Sequence, residues 1–186
     1  TCFAHQSAAF DALEYEQQDY WSRLSSVNAT SGIVHPMVHL HPVTKRNSVW
    51  LHLGMTGAVI MKDPKENLFR LLDPGELKDL CHQYNNLLNA GFENGYSINY
   101  EYDTNDCLFI DNLAVAHRAA PEAHLPAEKQ GLRIMHRSTI QAVDSLKPDF
   151  GLPIQLDIYS PSPLGEGVWQ PGGIGFRWDD EAPMQN

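Results

Sequence analysis

The spacing of apolar positions changes along this chain, and each change predicts a different element. Over residues 6–24, QSAAFDALEYEQQDYWSRL, Ala9, Leu13 and Tyr20 can share one helical face while polar residues fill the other, which predicts a helix. SGIVHPMVHLHP then reads as an extended stretch interrupted by Pro36 and Pro42. TKRN (44–47) predicts a turn and SVWLHLG (48–54) a strand, so the two extended stretches are expected to pair as a hairpin.

DPGELKDLCHQYNNLLNAGF predicts the clearest helix. Asp73 stands before Pro74 as an N-cap stands before a proline in the first turn. Leu77, Leu80, Cys81, Tyr84, Leu87 and Leu88 form its apolar stripe, and Gly91 is the expected stop. After it the period falls to two. YSINYEY (96–102) alternates, DTND (103–106) predicts a turn, and CLFIDN a short buried strand. AVAHRAA and LRIMHRSTIQAV predict two further strands, joined by a loop carrying Pro121, Pro126 and Gly131. Short strands with flanking helices point to a mainly β fold of sandwich or jelly-roll type rather than a parallel sheet.

Residues 147–186 lose all periodicity and become rich in Pro and Gly, yet keep Tyr159, Trp169, Phe176 and Trp178. Disordered tails are usually poorer in aromatics. The expected organisation is therefore a domain over 1–146 and an extended tail over 147–186 that lies against its own domain or a protein partner.

Composition narrows the function classes. Hydrophobic residues make up 42% of the 186 positions, as in soluble globular domains. The formal charge of −10 argues against nucleic acid or an anionic membrane as partner, since both need a basic footprint. No apolar run reaches membrane-spanning length. Cys2, Cys81 and Cys107 have neither disulfide nor zinc spacing, which leaves buried free thiols and fits a reducing intracellular compartment. Asn28–Thr30 matches a glycosylation triplet of a kind common by chance. The chain opens TCFAHQSAAF without an initiator Met, so an upstream segment, with any targeting signal, is expected outside it.

The candidate chemistry sits in residues 111–140. On a strand, Arg133 and Arg137 would project from one side, and two guanidinium groups there need anions. Structural carboxylates such as Asp111 would satisfy them equally well. His117 lies among Ala114, Ala116, Ala119 and Ala120, which leave space beside its imidazole for a metal; a satisfied core histidine is the plainer alternative. His39 and His41 share a strand face and could ligate metal, but the nearby Pro42 and basic turn suggest a solvated edge.

These motifs resemble a known family. "DN....H" followed by LRIMHRSTI resembles the C-terminal signature of the taurine dioxygenase (TauD/TfdA) family, whose members are Fe(II)- and 2-oxoglutarate-dependent oxygenases. HPMVHLHPVTKRNSVWLHLGMTGAVI resembles the family's "HPVV..HP.TG...LF.N" hairpin, DTNDCLFIDN its "..ND..IWDN", and TCFAHQSAAFDAL the segment opening with a threonine near the co-substrate. The resemblance runs from Thr1 to about Val143 and implies a double-stranded β-helix, or jelly roll, incomplete at the N-terminus. It implies that His117 is the distal histidine of the iron site and that Arg137 grips the distal carboxylate of 2-oxoglutarate. Arg133 would lie near the chelating end or the substrate, and Thr1 would hydrogen-bond the co-substrate. Asp111 and Asn112 would brace the strand carrying His117, and Met55 would line the substrate pocket. The implied chemistry couples decarboxylation of 2-oxoglutarate to hydroxylation or desaturation of a small molecule.

The family's other two iron ligands form an H-x-D or H-x-E motif, and none of the nine histidines here begins one. One reading is an oxygenase whose motif lies upstream of this sequence. A second is a catalytically inactive structural subunit whose open strand edges and tail are covered by neighbours. A third is a cupin-like module that holds a small carboxylate without redox chemistry.

Overall fold

The computed structural model describes residues 1–63, 69–130 and 135–140. The predicted helix over 6–24 is two helices. Strand β1 (Cys2–His5) leads into α1 (Gln6–Asp11), whose first turn is capped by His5 Nδ1 accepting from Ala8 N–H at 3.2 Å. The chain then kinks into α2 (Tyr15–Ser22). Gln18 of α2 donates through its amide nitrogen to the carbonyls of Phe10 (3.2 Å) and Leu13 (3.0 Å). The Leu13 carbonyl beyond α1 thereby gains a partner without helical continuation, and the Phe10 carbonyl gains a second beside Leu13 N–H.

LSSVN, polar in the sequence, is the central strand β2 (Leu24–Asn28) of a four-stranded antiparallel sheet. Its neighbours are β3 (Val34–Pro36) and β6 (Thr56–Lys62), and β7 (Phe69–Leu71) pairs with β6. Asn28 turns the corner towards β3, its Oδ1 accepting from the N–H groups of Thr30 and Ser31 at 2.9 Å each. The expected hairpin forms from β4 (Val38–Leu40) and β5 (Asn47–Val49), with His39 opposite Ser48. It is shorter than predicted, because Leu51–Gly54 leave the strand and turn, with His52 O accepting from the N–H groups of Met55 (3.1 Å) and Thr56 (2.9 Å).

Helix α3 (Pro74–Asn94) begins as predicted at Asp73. Asp73 Oδ1 accepts from Glu76 N–H and Glu76 Oε2 accepts from Asp73 N–H, both at 2.9 Å, a reciprocal capping box. It runs past Gly91 to Gly95, whose φ of 81° ends it in the left-handed region. Gly91 serves packing instead: a Cβ there would lie 2.2 Å from Ser97 Oγ and 2.6 Å from the Tyr96 ring.

β1 is the middle of a second antiparallel sheet, between β8 (Ser97–Asn99) and β9 (Val115–Arg118). A 3-10 turn (Pro121–His124) and α4 (Ala127–Gln130) follow. CLFIDN is not the buried strand expected: Phe109 is 90% exposed, Cys107 is also exposed, and no described strand offers the segment a hydrogen-bond ladder. Cys2 and Cys81 are the buried free thiols. LRIMHRSTIQAV departs likewise, since Met135–Ile140 are exposed and irregular, again with no described strand to pair with; its remaining residues, Arg133 included, lie outside the described residues. So does the tail over 147–186.

The main core gathers Trp21, Leu24, Met37, Val49, Leu51, Leu53, Val59 and Leu72 against Leu77, Leu80, Cys81 and Tyr84 of α3. Val27, Val34, Ala58 and Ile60 form a smaller cluster. Among the described residues no helix is long and apolar enough to cross a membrane.

Candidate functional site

Alternation along β9 sends its two basic side chains in opposite directions. Arg118 turns to α3, donating to Asn85 Oδ1 at 3.2 Å and Asn89 Oδ1 at 2.6 Å. His117 takes the other face, in register with Phe3 of β1, and the two rings lie 6.2 Å apart. Ile98 of β8 continues that row across the sheet and is 58% exposed.

Beside His117 lies a cleft of about 470 Å³ whose walls include Phe3, Trp50, Leu53, Leu88 and Phe92. His52, His117 and Arg137 bring nitrogen chemistry to it, and among the described residues no Asp or Glu lines it. In a chain of net charge −10, a concave surface with no carboxylate among its described lining residues favours an anionic guest. His117 is exposed at the cleft, but partial desolvation, and then the positive fields of Arg137 and His52, push its imidazole below its ordinary pKa. It therefore favours the neutral form, the form that ligates metals.

Of the residues singled out in the sequence, the cleft brings together His117, Arg137 and Asn112. Thr1 and Met55 stand outside its lining. Thr1 is tied to Tyr100, whose carbonyl accepts from the terminal ammonium at 2.8 Å and whose N–H donates to Thr1 O at 2.8 Å. Met55 O accepts from Ala29 N–H at 2.7 Å. Arg137 is exposed on an irregular segment rather than a strand.

Asp111 opens the turn into β9. Its Oδ1 accepts from Leu113 N–H at 2.9 Å, and its carbonyl from the N–H groups of Ala114 (3.0 Å) and Val115 (2.9 Å). Burial pulls its carboxyl up, but hydrogen bonds from Leu113, His41 and Ala114 outweigh that and hold it below the ordinary range. Gln6, fully buried, grips the same segment. With its amide oriented to satisfy both ends, it donates to Leu113 O at 3.3 Å and accepts from Ala116 N–H at 3.2 Å.

His39 and His41 are not a solvated edge. They are only 7% and 3% exposed, because the hairpin packs them onto residues 111–113. The readable signal was the alternation H-L-H, with the exposed Leu40 between two inward rings.

The family described as "Taurine catabolism dioxygenase TauD, TfdA family" matches residues 1–139. Among solved structures, a taurine dioxygenase from Burkholderia xenovorans is 15% identical, with a TM-score of 0.46 over 61% of this chain and 38% of that one. A second protein of that organism, described as a "Putative Alpha-ketoglutarate-dependent Taurine Dioxygenase", is 16% identical, with a TM-score of 0.50 over 66% of this chain and 42% of that one. The match thus spans about two-fifths of the length of each of these two structures. No curated protein matches it.

Proposed function

The chain belongs to the TauD/TfdA family, and from that premise we propose that it forms the co-substrate end of an Fe(II)/2-oxoglutarate-dependent dioxygenase that hydroxylates or desaturates a small molecule. Its antiparallel sheets, of three, four and two strands, are read as parts of a double-stranded β-helix. The observation that carries the reading is the cleft: Arg137 and His117 line it together, and no carboxylate among the described residues lines it beside them. Arg137 grips the distal carboxylate of 2-oxoglutarate, because guanidinium binds a carboxylate in a two-point fork.

Iron fits these residues only in part. The neutral imidazole of His117 is a suitable ligand. One imidazole does not hold a divalent ion, however, and among the described residues no three His, Cys, Asp or Glu side chains gather as a metal site. What these residues supply by themselves is a site for the carboxylate of the co-substrate. A second reading, the inactive structural subunit, is favoured by the exposed Ile98, Leu108, Phe109 and Ile110, which suit a covering neighbour.

The test is NMR titration of the full chain with 2-oxoglutarate, then with Co(II) as a paramagnetic probe. The expected result is a shift of the Arg137 side-chain signals and broadening at His117. Arg137→Leu should weaken 2-oxoglutarate binding about tenfold or more, since a hydrogen bond to a charged group contributes roughly 1.5–3 kcal/mol. Spectra unchanged by millimolar 2-oxoglutarate would overturn the reading in favour of the structural subunit. Binding with no cobalt effect at His117 would leave a carboxylate-binding module.

A further inference from the structure

We propose that His41 and His39 are positioning residues: from the β4–β5 hairpin they latch the Asp111–Leu113 turn and so fix where β9 presents His117. This deepens the reading above and rests on it for the role of His117, but not for the geometry.

The hydrogen bonds assign each ring nitrogen. His41 Nδ1 faces two donors, Val43 N–H at 3.2 Å and Thr44 N–H at 3.1 Å, so it carries a lone pair. The proton is therefore on Nε2, which donates to Asp111 Oδ2 at 3.0 Å. His39 Nε2 faces only a carbonyl, Leu113 O at 3.1 Å, and must donate to it. One imidazole thus does two tasks, capping its own turn with Nδ1 and holding a distant segment with Nε2. The Asp111 carboxylate is likewise split between the hairpin and its own turn, through Oδ2 and Oδ1.

The latch is placed where it can matter. Asp111 is six residues before His117, and its carbonyl accepts the N–H of Val115, the first residue of β9. The hairpin itself is fixed to the main sheet through Met37 N–H to Leu24 O at 2.9 Å, and Trp50 N–H to Met37 O at 2.7 Å extends the pairing of its two arms. Among the described residues, Gln6 and the ladder with β1 also hold β9, and Arg118 ties it to α3, while the latch holds the turn from which β9 starts.

Two substitutions separate the tasks of His41. An asparagine Oδ1 takes the place of imidazole Nδ1, so His41→Asn keeps the turn cap and loses Asp111. A glutamine Nε2 takes the place of imidazole Nε2, so His41→Gln keeps Asp111 and loses the turn cap. The readout is amide hydrogen exchange in the full chain without ligand. In His41→Asn the latch predicts exchange about tenfold faster at Leu113, Ala114 and Val115, the size of one lost hydrogen bond, with Val43 and Thr44 unchanged. The His117 ring signals should move in the same variant. His41→Gln should show the reverse pattern.

Unchanged exchange at 113–115 in His41→Asn, or equal acceleration in both variants, would overturn the latch. If His41→Asn fails to fold, Asp111→Asn, at a side chain 54% exposed, puts the same question from the other partner. It keeps an acceptor for Leu113 and removes the charge facing His41, so the latch again predicts faster exchange at 113–115. Exchange is read without 2-oxoglutarate, so failure to bind it leaves this test intact. Binding with an unchanged exchange pattern removes only the latch.

Discussion

Arg118 shows what one residue does when its neighbour faces the cleft. Its fork spans two neutral amides one helical turn apart on α3. A lysine ammonium is a point donor and cannot span both. Arg118→Lys is therefore expected to lose one bond and destabilise the fold by about 0.5–1.5 kcal/mol, and Arg118→Ala by roughly twice that. The urea midpoint reads both, and an unchanged midpoint in Arg118→Ala would remove Arg118 as the anchor between β9 and α3. His117 itself was legible because its small neighbours and the motif around it are local in sequence. The anchors His39, His41 and Gln6 were not, because their partners lie some 70 to 110 positions away and no local pattern records them.

At the scale of elements, α3 gathers the strongest local determinants in one place. Its capping box is joined from β7 by Arg70, whose fork reaches Glu76 at 2.6 and 2.7 Å. The Arg70 guanidinium first, and the Asp73 N–H second, hold the Glu76 carboxyl down to about 2. A depressed carboxylate contributes stability above its unfolded pKa of about 4.5 and loses it as pH falls towards its folded value. Both side chains are over a third exposed or close to it, so the pair contributes under about 1 kcal/mol. Glu76→Gln keeps a cap acceptor and removes the charge. Its deficit in urea stability should be full at about pH 6 and shrink by about pH 3, and a deficit constant across that range would show that the charge does nothing. This helix was readable because cap, stripe and proline lie within its own sequence; only its end was misplaced, since Gly91 answers to Tyr96 and Ser97 rather than to the backbone. β2 was hidden for the opposite reason. Ser25 and Ser26 are buried by β3 and β6 on either side, and a serine-rich run looks polar until those strands are in place. CLFIDN errs the other way, apolar in sequence but without a described strand to pair with.

Across the whole molecule, buried histidines set the response to acid. Burial pushes His35 and His39 below their ordinary pKa, and hydrogen bonding to Leu113 only partly restores His39. Unfolded, both would titrate near about 6.5, so below that pH the unfolded chain binds more protons than the folded one. Stability is therefore full above about pH 6.5 and falls as pH drops through that value, so the loss begins at higher pH than that of Glu76. The loss should appear as a lower thermal midpoint at about pH 5.5 than at about pH 8. His39→Gln isolates one contributor, because the glutamine amide can still donate to Leu113 O but cannot take up a proton. It should flatten the decline without abolishing it, since His35 remains, half-buried with its ring 5.0 Å from that of Trp50. The same decline in His39→Gln as in the parent chain would mean that acid acts elsewhere. A flattened decline would instead tie the acid response to the hairpin side chain that holds Leu113, and so link the stability of the molecule to the segment that carries its candidate site.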